Sequence, residues 1–196
     1  MRVTGLKYYH QKGYTLISVL LVLAITSYGI VKVVGQYNDY RYTQESEHNA
    51  YVIIKLAKDI SEAVSGSNDC SVVSNEFVAY SNIIPKGWRV DTSSPSSVKL
   101  YWGSDNLAEA VISSNLPEHL KPPGWSSYDG FSIKLNKYKI NDGPRFISQL
   151  VDYFDIIIWG AGNYIKDLQG YHPDIFQKIK ENEGERTGMR FIKLGC

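Results

Sequence analysis

Two neighbouring stretches near the start of the chain are patterned in opposite ways. Residues 14–34 (YTLISVLLVLAITSYGIVKVV) are apolar on every helical face, and the 18 residues from Tyr14 to Val31 carry no formal charge. At 1.5 Å per residue such a helix is roughly 27 Å long, close to the hydrocarbon thickness of a bilayer. Residues 36–66 alternate instead. Ala50, Ile53, Ile54, Ala57, Ile60 and Val64 recur at steps of three and four, while Glu45, Glu47, Lys55, Lys58, Asp59 and Glu62 take the other faces. That spacing predicts an amphipathic helix with one core-facing stripe. Neither Pro nor Gly interrupts residues 36–65, so one helix over 14–66 is expected, stopping at Ser65-Gly66-Ser67-Asn68. Tyr37, Tyr40 and Tyr42 follow the apolar run, where they suit a membrane interface or helix packing equally.

Beyond the helix, residues 67–196 read as one globular domain of short strands and two short helices. Runs at 75–80, 86–90, 98–102, 131–135 and 155–159 have strand character. In 131–135, Phe131, Ile133 and Leu135 alternate with Ser132 and Lys134, so one face of that strand is expected to be buried. Residues 144–154 predict a helix opened by Pro144, with Phe146, Leu150, Val151 and Phe154 on one side. Residues 173–183 predict another, with Ile175, Phe176 and Ile179. Segments 91–97 and 117–127 read as Ser/Pro/Gly-rich loops. The fold class is therefore α+β: a long N-terminal helix packed on a C-terminal domain with an antiparallel sheet.

Charge orients the first helix. Arg2, Lys7 and Lys12 precede the apolar run and no acid occurs before Asp39, so residues 1–13 are expected in the cytoplasm and the remainder outside it. The whole chain carries a net charge of +1 with no basic block, which argues against nucleic acid as a partner. Removing residues 1–13 leaves 18 basic and 20 acidic residues, a net charge of about −2. Two cysteines, Cys70 and Cys196, are too few for a disulfide-rich mini-protein or a four-cysteine zinc site. Their extracytoplasmic placement favours oxidation.

Catalytic and cofactor signatures are sparse. Residues 155–162 (DIIIWGAG) look like a strand entering a dinucleotide loop, but Ile165 stands where the third glycine belongs and only 34 residues follow Gly162. A strand and a tight turn are expected there. His10, His48, His119 and His172 have no second His or Cys at metal-ligand spacing. The acidic run Glu181, Glu183, Glu185 lacks the regular ligand spacing of a calcium loop. No G-x-S-x-G elbow or Walker loop is present, so neither a cofactor, a metal nor catalysis is expected.

The junction Lys12-Gly13-Tyr14-Thr15-Leu16-Ile17 carries the most specific signal. A cleaved secretory signal would have a shorter apolar core and a better small-x-small site. A plain signal anchor would explain orientation and hydrophobicity, but not the basic leader ending in glycine. The junction resembles the class III signal of type IV pilins and pseudopilins. That resemblance implies cleavage by a prepilin peptidase between Gly13 and Tyr14 and N-methylation of Tyr14. Gly13 suits such a site because it presents no side chain to the protease. Residues 1–13 would then be a leader, 14–66 the assembly helix with 14–34 its membrane or filament-core part, and 67–196 the head. Implied partners are other pilin subunits through the N-terminal helix, the prepilin peptidase, the inner-membrane pilus assembly machinery, and a host or surface receptor. Implied locations are the bacterial inner membrane before assembly, and an extracellular pilus or periplasmic pseudopilus afterwards.

One position departs from the family pattern. The fifth residue of the mature chain is usually Glu, which neutralises a neighbouring N-terminal ammonium; here it is Ser18. A hydroxyl cannot cancel a charge in an apolar filament core, so a minor or tip subunit is expected rather than an abundant one. A looser resemblance, to type IVb pilin heads, lies in Ile84-Pro85-Lys86-Gly87-Trp88, Leu100-Tyr101-Trp102-Gly103 and Phe131-Ser132-Ile133-Lys134-Leu135, then a short helix and a strand. Many of those heads bond a Cys in the short helix to a C-terminal Cys. Residues 145–154 contain none, so the resemblance leaves Cys70 as partner for Cys196; two unpaired thiols or an intersubunit bond are the alternatives. The competing functions are a minor pseudopilin of a type II secretion system and, in another class, a membrane-anchored periplasmic enzyme or binding protein.

Overall fold

The computed structural model describes residues 9–66, 69–93, 98–102, 108–120, 123–124, 126, 129–139, 141–160, 162–182 and 185–196, with backbone alone for residues 9–15. The chain divides into two units, Met1–Tyr42 and Thr43–Cys196. One uninterrupted helix, α1 (Tyr9–Val64), supplies the described part of the first unit and the opening of the second.

Within Thr43–Cys196, the buried stripe of α1 comprises Ser46, Ala50, Ile53, Leu56, Ala57, Ile60 and Val64. Leu56 belongs to it, three residues after Ile53 and four before Ile60 on that face. Ile54, expected in the stripe, lies a residue off it and is only half-buried at its margin. After α1 come a 3-10 turn at Cys70–Val72, α2 (Asn75–Tyr80), β1 (Trp88–Asp91), β2 (Lys99–Trp102), β3 (Ala108–Ser113), a 3-10 turn at Glu118–Leu120, and β4 (Gly130–Lys139). They are followed by α3 (Gly143–Leu150), β5 (Ile156–Trp159), β6 (Asn163–Asp167), β7 (Gly170–Tyr171), α4 (Asp174–Glu181) and β8 (Arg186–Leu194). The eight strands form one antiparallel sheet in the order β1-β2-β3-β4-β8-β5-β6-β7.

The main core lies on one face of this sheet. Leu100, Ile112, Ile133, Leu135, Met189 and Phe191 meet the α1 stripe and Phe146, Ile147, Leu150 and Phe154 of the α3 region. Each fully buried side chain of this kind contributes roughly 1.5–3 kcal/mol. An aromatic series runs through the same cluster, stacked from Trp88 to Trp102 (5.6 Å) and on to Tyr138 (5.0 Å), with Phe146 tilted against Tyr138 (5.4 Å). Asn49 of α1 donates to the Tyr138 hydroxyl at 2.9 Å, and burial pushes that phenol well above its ordinary pKa. On the opposite face, Leu116 and Leu120 cover Ile156 and Ile192 in a second, smaller cluster.

Several expectations need correction. Residues 75–80 are a helix, not a strand. The Ser74 hydroxyl accepts from the Phe77 N–H at 3.2 Å, an N-cap that overrides the strand preference of Phe77, Val78 and Tyr80. The Asn75 amide fixes the helix in place, accepting from the Ile112 N–H and donating to the Val98 carbonyl, both at 2.8 Å. The strand expected at 86–90 begins at Trp88, because Gly87 turns the chain with φ +89°. The helix expected over 144–154 stops at Leu150. The Lys166 ammonium collects the carbonyls of Val151 (2.5 Å) and Phe154 (2.9 Å), holding the following residues in a turn. Strands β3, β6, β7 and β8 escaped the sequence pattern altogether, although β8 is central in the sheet.

Candidate functional site

The first half of α1 is exposed on all sides. Its large apolar side chains from Leu16 to Val34 keep between 51% and 69% of their surface. This is the one helix among the described residues that is long and apolar enough to cross a membrane. An all-round apolar surface of that size is compatible with burial in lipid or among other helices. The interior polar group Thr26 is satisfied within the helix, its hydroxyl donating to the carbonyls of Val22 (2.9 Å) and Leu23 (3.0 Å). Lys32 sits over the Tyr28 ring at 5.8 Å, near the end of the stretch. Ser18 lies early in the exposed segment. Gly13 and Tyr14 fall within the backbone of α1, but their side chains lie outside the described residues, as do residues 1–8 of the leader. Tyr37, Tyr40 and Tyr42 are exposed.

The second half of α1 leads into a covalent clasp. Asp69 caps the 3-10 turn, accepting from the Ser71 N–H and hydroxyl, each at 2.8 Å. Those two bonds hold its carboxyl below the usual carboxylate range. The turn buries Cys70 completely, and Cys70 is bonded to Cys196 with the Cα atoms 5.9 Å apart. The loop so closed spans 126 residues. Local bonds aim the end of β8 at Cys70. The Leu194 N–H donates to Asp155 at 2.8 Å, and the Gly195 N–H to the Asp129 carbonyl at 2.6 Å. Gly195 turns with φ +80°, a conformation L side chains rarely adopt, and thereby redirects the chain into Cys196.

The remaining sequence candidates find bland surroundings. Gly160 and Gly162 form the hairpin between β5 and the antiparallel β6, where a dinucleotide fold would start a helix. His48 and His119 are exposed, and His172 sits 3.0 Å from Asp167. The side chain of His10 and all of Glu183 lie outside the described residues. Glu181 accepts from Gln177 at 3.0 Å. Among the described residues no group of three or more His, Cys, Asp or Glu is placed to hold a metal ion. What the structure brings together is thus an unpartnered apolar half-helix, an amphipathic half-helix and a disulfide. No protein-family profile, curated protein or solved structure matches the chain.

Proposed function

We propose that the chain is a type IV pilin-like subunit, more specifically a minor or tip subunit, whose work is assembly rather than catalysis. One observation carries the reading: the exposed apolar stretch follows directly on Lys12-Gly13-Tyr14 and continues as helix, without a linker, to the end of the amphipathic half at Val64. An ordinary anchor would more often be followed by a flexible segment. In this scheme a prepilin peptidase removes residues 1–13 and leaves Tyr14 as a methylated N-terminus. The bilayer then holds the apolar half-helix until like helices replace lipid around it. The sheet domain supplies lateral packing and recognition. Ser18 in place of the family's Glu supports a rare position, since it cannot neutralise an incoming ammonium. The same residue favours the second reading, a minor pseudopilin of a type II secretion system, which shares the building plan.

Two measurements test the proposal. A Gly13→Leu substitution should abolish processing and leave the 22.2 kDa chain in the inner membrane; normal maturation would contradict it. Quantitative mass spectrometry of purified filaments should find the chain far scarcer than the principal subunit. Stoichiometric abundance would remove the minor-subunit assignment.

A further inference from the structure

The sheet face opposite the main core holds a cleft of about 230 Å³ beside Leu120, and its charge is one-sided. Lys134 of β4 and Arg190 of β8 are direct partners across the ladder, and Ile158 of β5 continues the row beyond Arg190. Both cations line the cleft, with His119 beside them. Like charges directly opposite on one sheet face destabilise the pair, and a nearby carboxylate would ordinarily relieve this. Among the described residues neither cation has a hydrogen-bond or ion-pair partner. Three acids in the neighbourhood are engaged elsewhere. Glu109 accepts from Asn136 at 3.5 Å and Asp155 pairs with Lys193 at 3.3 Å. Asp167, which lines the adjoining cleft, pairs with His172.

The space along β8 beside Arg190 is kept open by a residue that packing does not demand. Gly188 lies on the same face two positions before Arg190, and a Cβ placed there would meet nothing nearer than the Leu135 carbonyl at 3.7 Å. Crowding does not require glycine, yet glycine leaves a shallow floor next to the guanidinium. Ile158 and Tyr164 form the apolar side of the same cleft. Two uncompensated cations, a bare floor and an aromatic wall together match an anionic group on a compact carrier. The arginine fork fits a carboxylate or a phosphate with two parallel hydrogen bonds, and the lysine adds a point charge.

We propose that this cleft binds a carboxylate or phosphate group carried on a small ring or chain, with Lys134 and Arg190 gripping the anion and Ile158 and Tyr164 receiving the carrier. The site is built wholly within Thr43–Cys196 and does not depend on the assembly reading. The test is calorimetric titration of the full chain in uncharged detergent with glucuronate, inorganic phosphate and glucose, alongside amide chemical shifts. Saturable binding of glucuronate or phosphate is expected, weakening as salt rises, with glucose at least roughly tenfold weaker. Lys134→Gln and Arg190→Gln should each weaken binding by roughly tenfold or more, through loss of a charge-assisted hydrogen bond. Neither should lower the melting temperature, because each removes a repulsion. Tighter glucuronate binding with shifts at Ile158 and Tyr164 would assign a sugar acid. Phosphate binding as tightly without those shifts would assign a phosphate group. Absence of saturation by both anions, glucose binding as tightly as glucuronate, variants binding like the parent chain, or a clear loss of melting temperature in both variants would overturn the proposal.

Discussion

Residues 16–34 of α1 hold 13 Leu, Ile, Val and Ala among 19 positions and residues 43–64 hold 9 among 22, yet it is the less apolar half that is buried within the chain. Residues 16–34 are apolar at every angle and exposed at every angle, whereas residues 43–64 bury one stripe and present charge elsewhere. Hydrophobic content and the arrangement of polar positions both differ between the halves, and the arrangement decides whether burial is all-round or one-sided. A stripe is specified by a single packed surface, the sheet. An apolar cylinder is specified by an environment that contacts it from all sides, as lipid or a bundle of like helices does. One continuous helix thus carries two burial contracts, one fulfilled within the chain and one left for its surroundings.

The same substitution placed in each half should separate them most sharply. Ile60 is fully buried, so Ile60→Lys places an unpaired cation in the core. The cost should be about 5 kcal/mol or more, enough to unfold a domain of ordinary stability. Ile25→Lys should leave the thermal melt of the sheet domain unchanged and cost roughly 3 kcal/mol in membrane insertion instead, read as loss of the chain from the membrane fraction. Equal effects on the melt would mean that the halves are not independent in the way described. Next in size is the clasp. Replacing both Cys70 and Cys196 by Ser should lower denaturant stability by up to about 4–5 kcal/mol for so long a loop, without altering membrane retention. An unchanged denaturation midpoint would show that the clasp adds nothing to the packing around Phe191 and Ile192. Smaller again, Ile53→Val should cost about 1 kcal/mol in the melt, while Val22→Ala should leave the melt where it is.

Acid offers the gentlest contrast. In the sheet domain, bonds from Ser71 hold Asp69 low, Glu76 is held low by its own N–H and that of Val98, and the His172 side chain holds Asp167 low. Because each folded value is depressed, their stabilisation is complete above the ordinary carboxylate range and fades as the pH falls through the lowered values. Melting temperature should therefore decline below the ordinary carboxylate range. The apolar half-helix has no carboxylate before Asp39, so its helical signal in micelles should not respond over the same interval. A helical signal that titrates with the domain would contradict the separation.

Much of this was legible from residues with strong periodicity. The α1 stripe, the exposed apolar run, β4 and the hairpin at Gly160 all follow from local pattern. Strand-favouring side chains misled at 75–80, where the local Ser74 cap, together with two Asn75 bonds to Val98 and Ile112 that only the folded environment completes, makes a helix. Strand β8 was missed because it is buried on both faces in its middle. Phe191 faces the main core and Ile192 the second cluster, so the period-two signal disappears. Missing β8 also hid the Lys134–Arg190 pair, for the two residues are 56 positions apart and meet only through strand register. The disulfide was foreseen from cysteine count, compartment and family resemblance, whereas the bonds that aim Gly195 were not.

Intact-mass and N-terminal peptide spectrometry of the chain recovered from cells with a prepilin peptidase decides whether the Gly13–Tyr14 junction is the proposed cut. The expected product is a mature chain that has lost residues 1–13 and begins at N-methylated Tyr14, still held by membrane or filament. A chain that retains Met1, or one cut at any other bond, would contradict it and leave a membrane-anchored periplasmic protein as the better description.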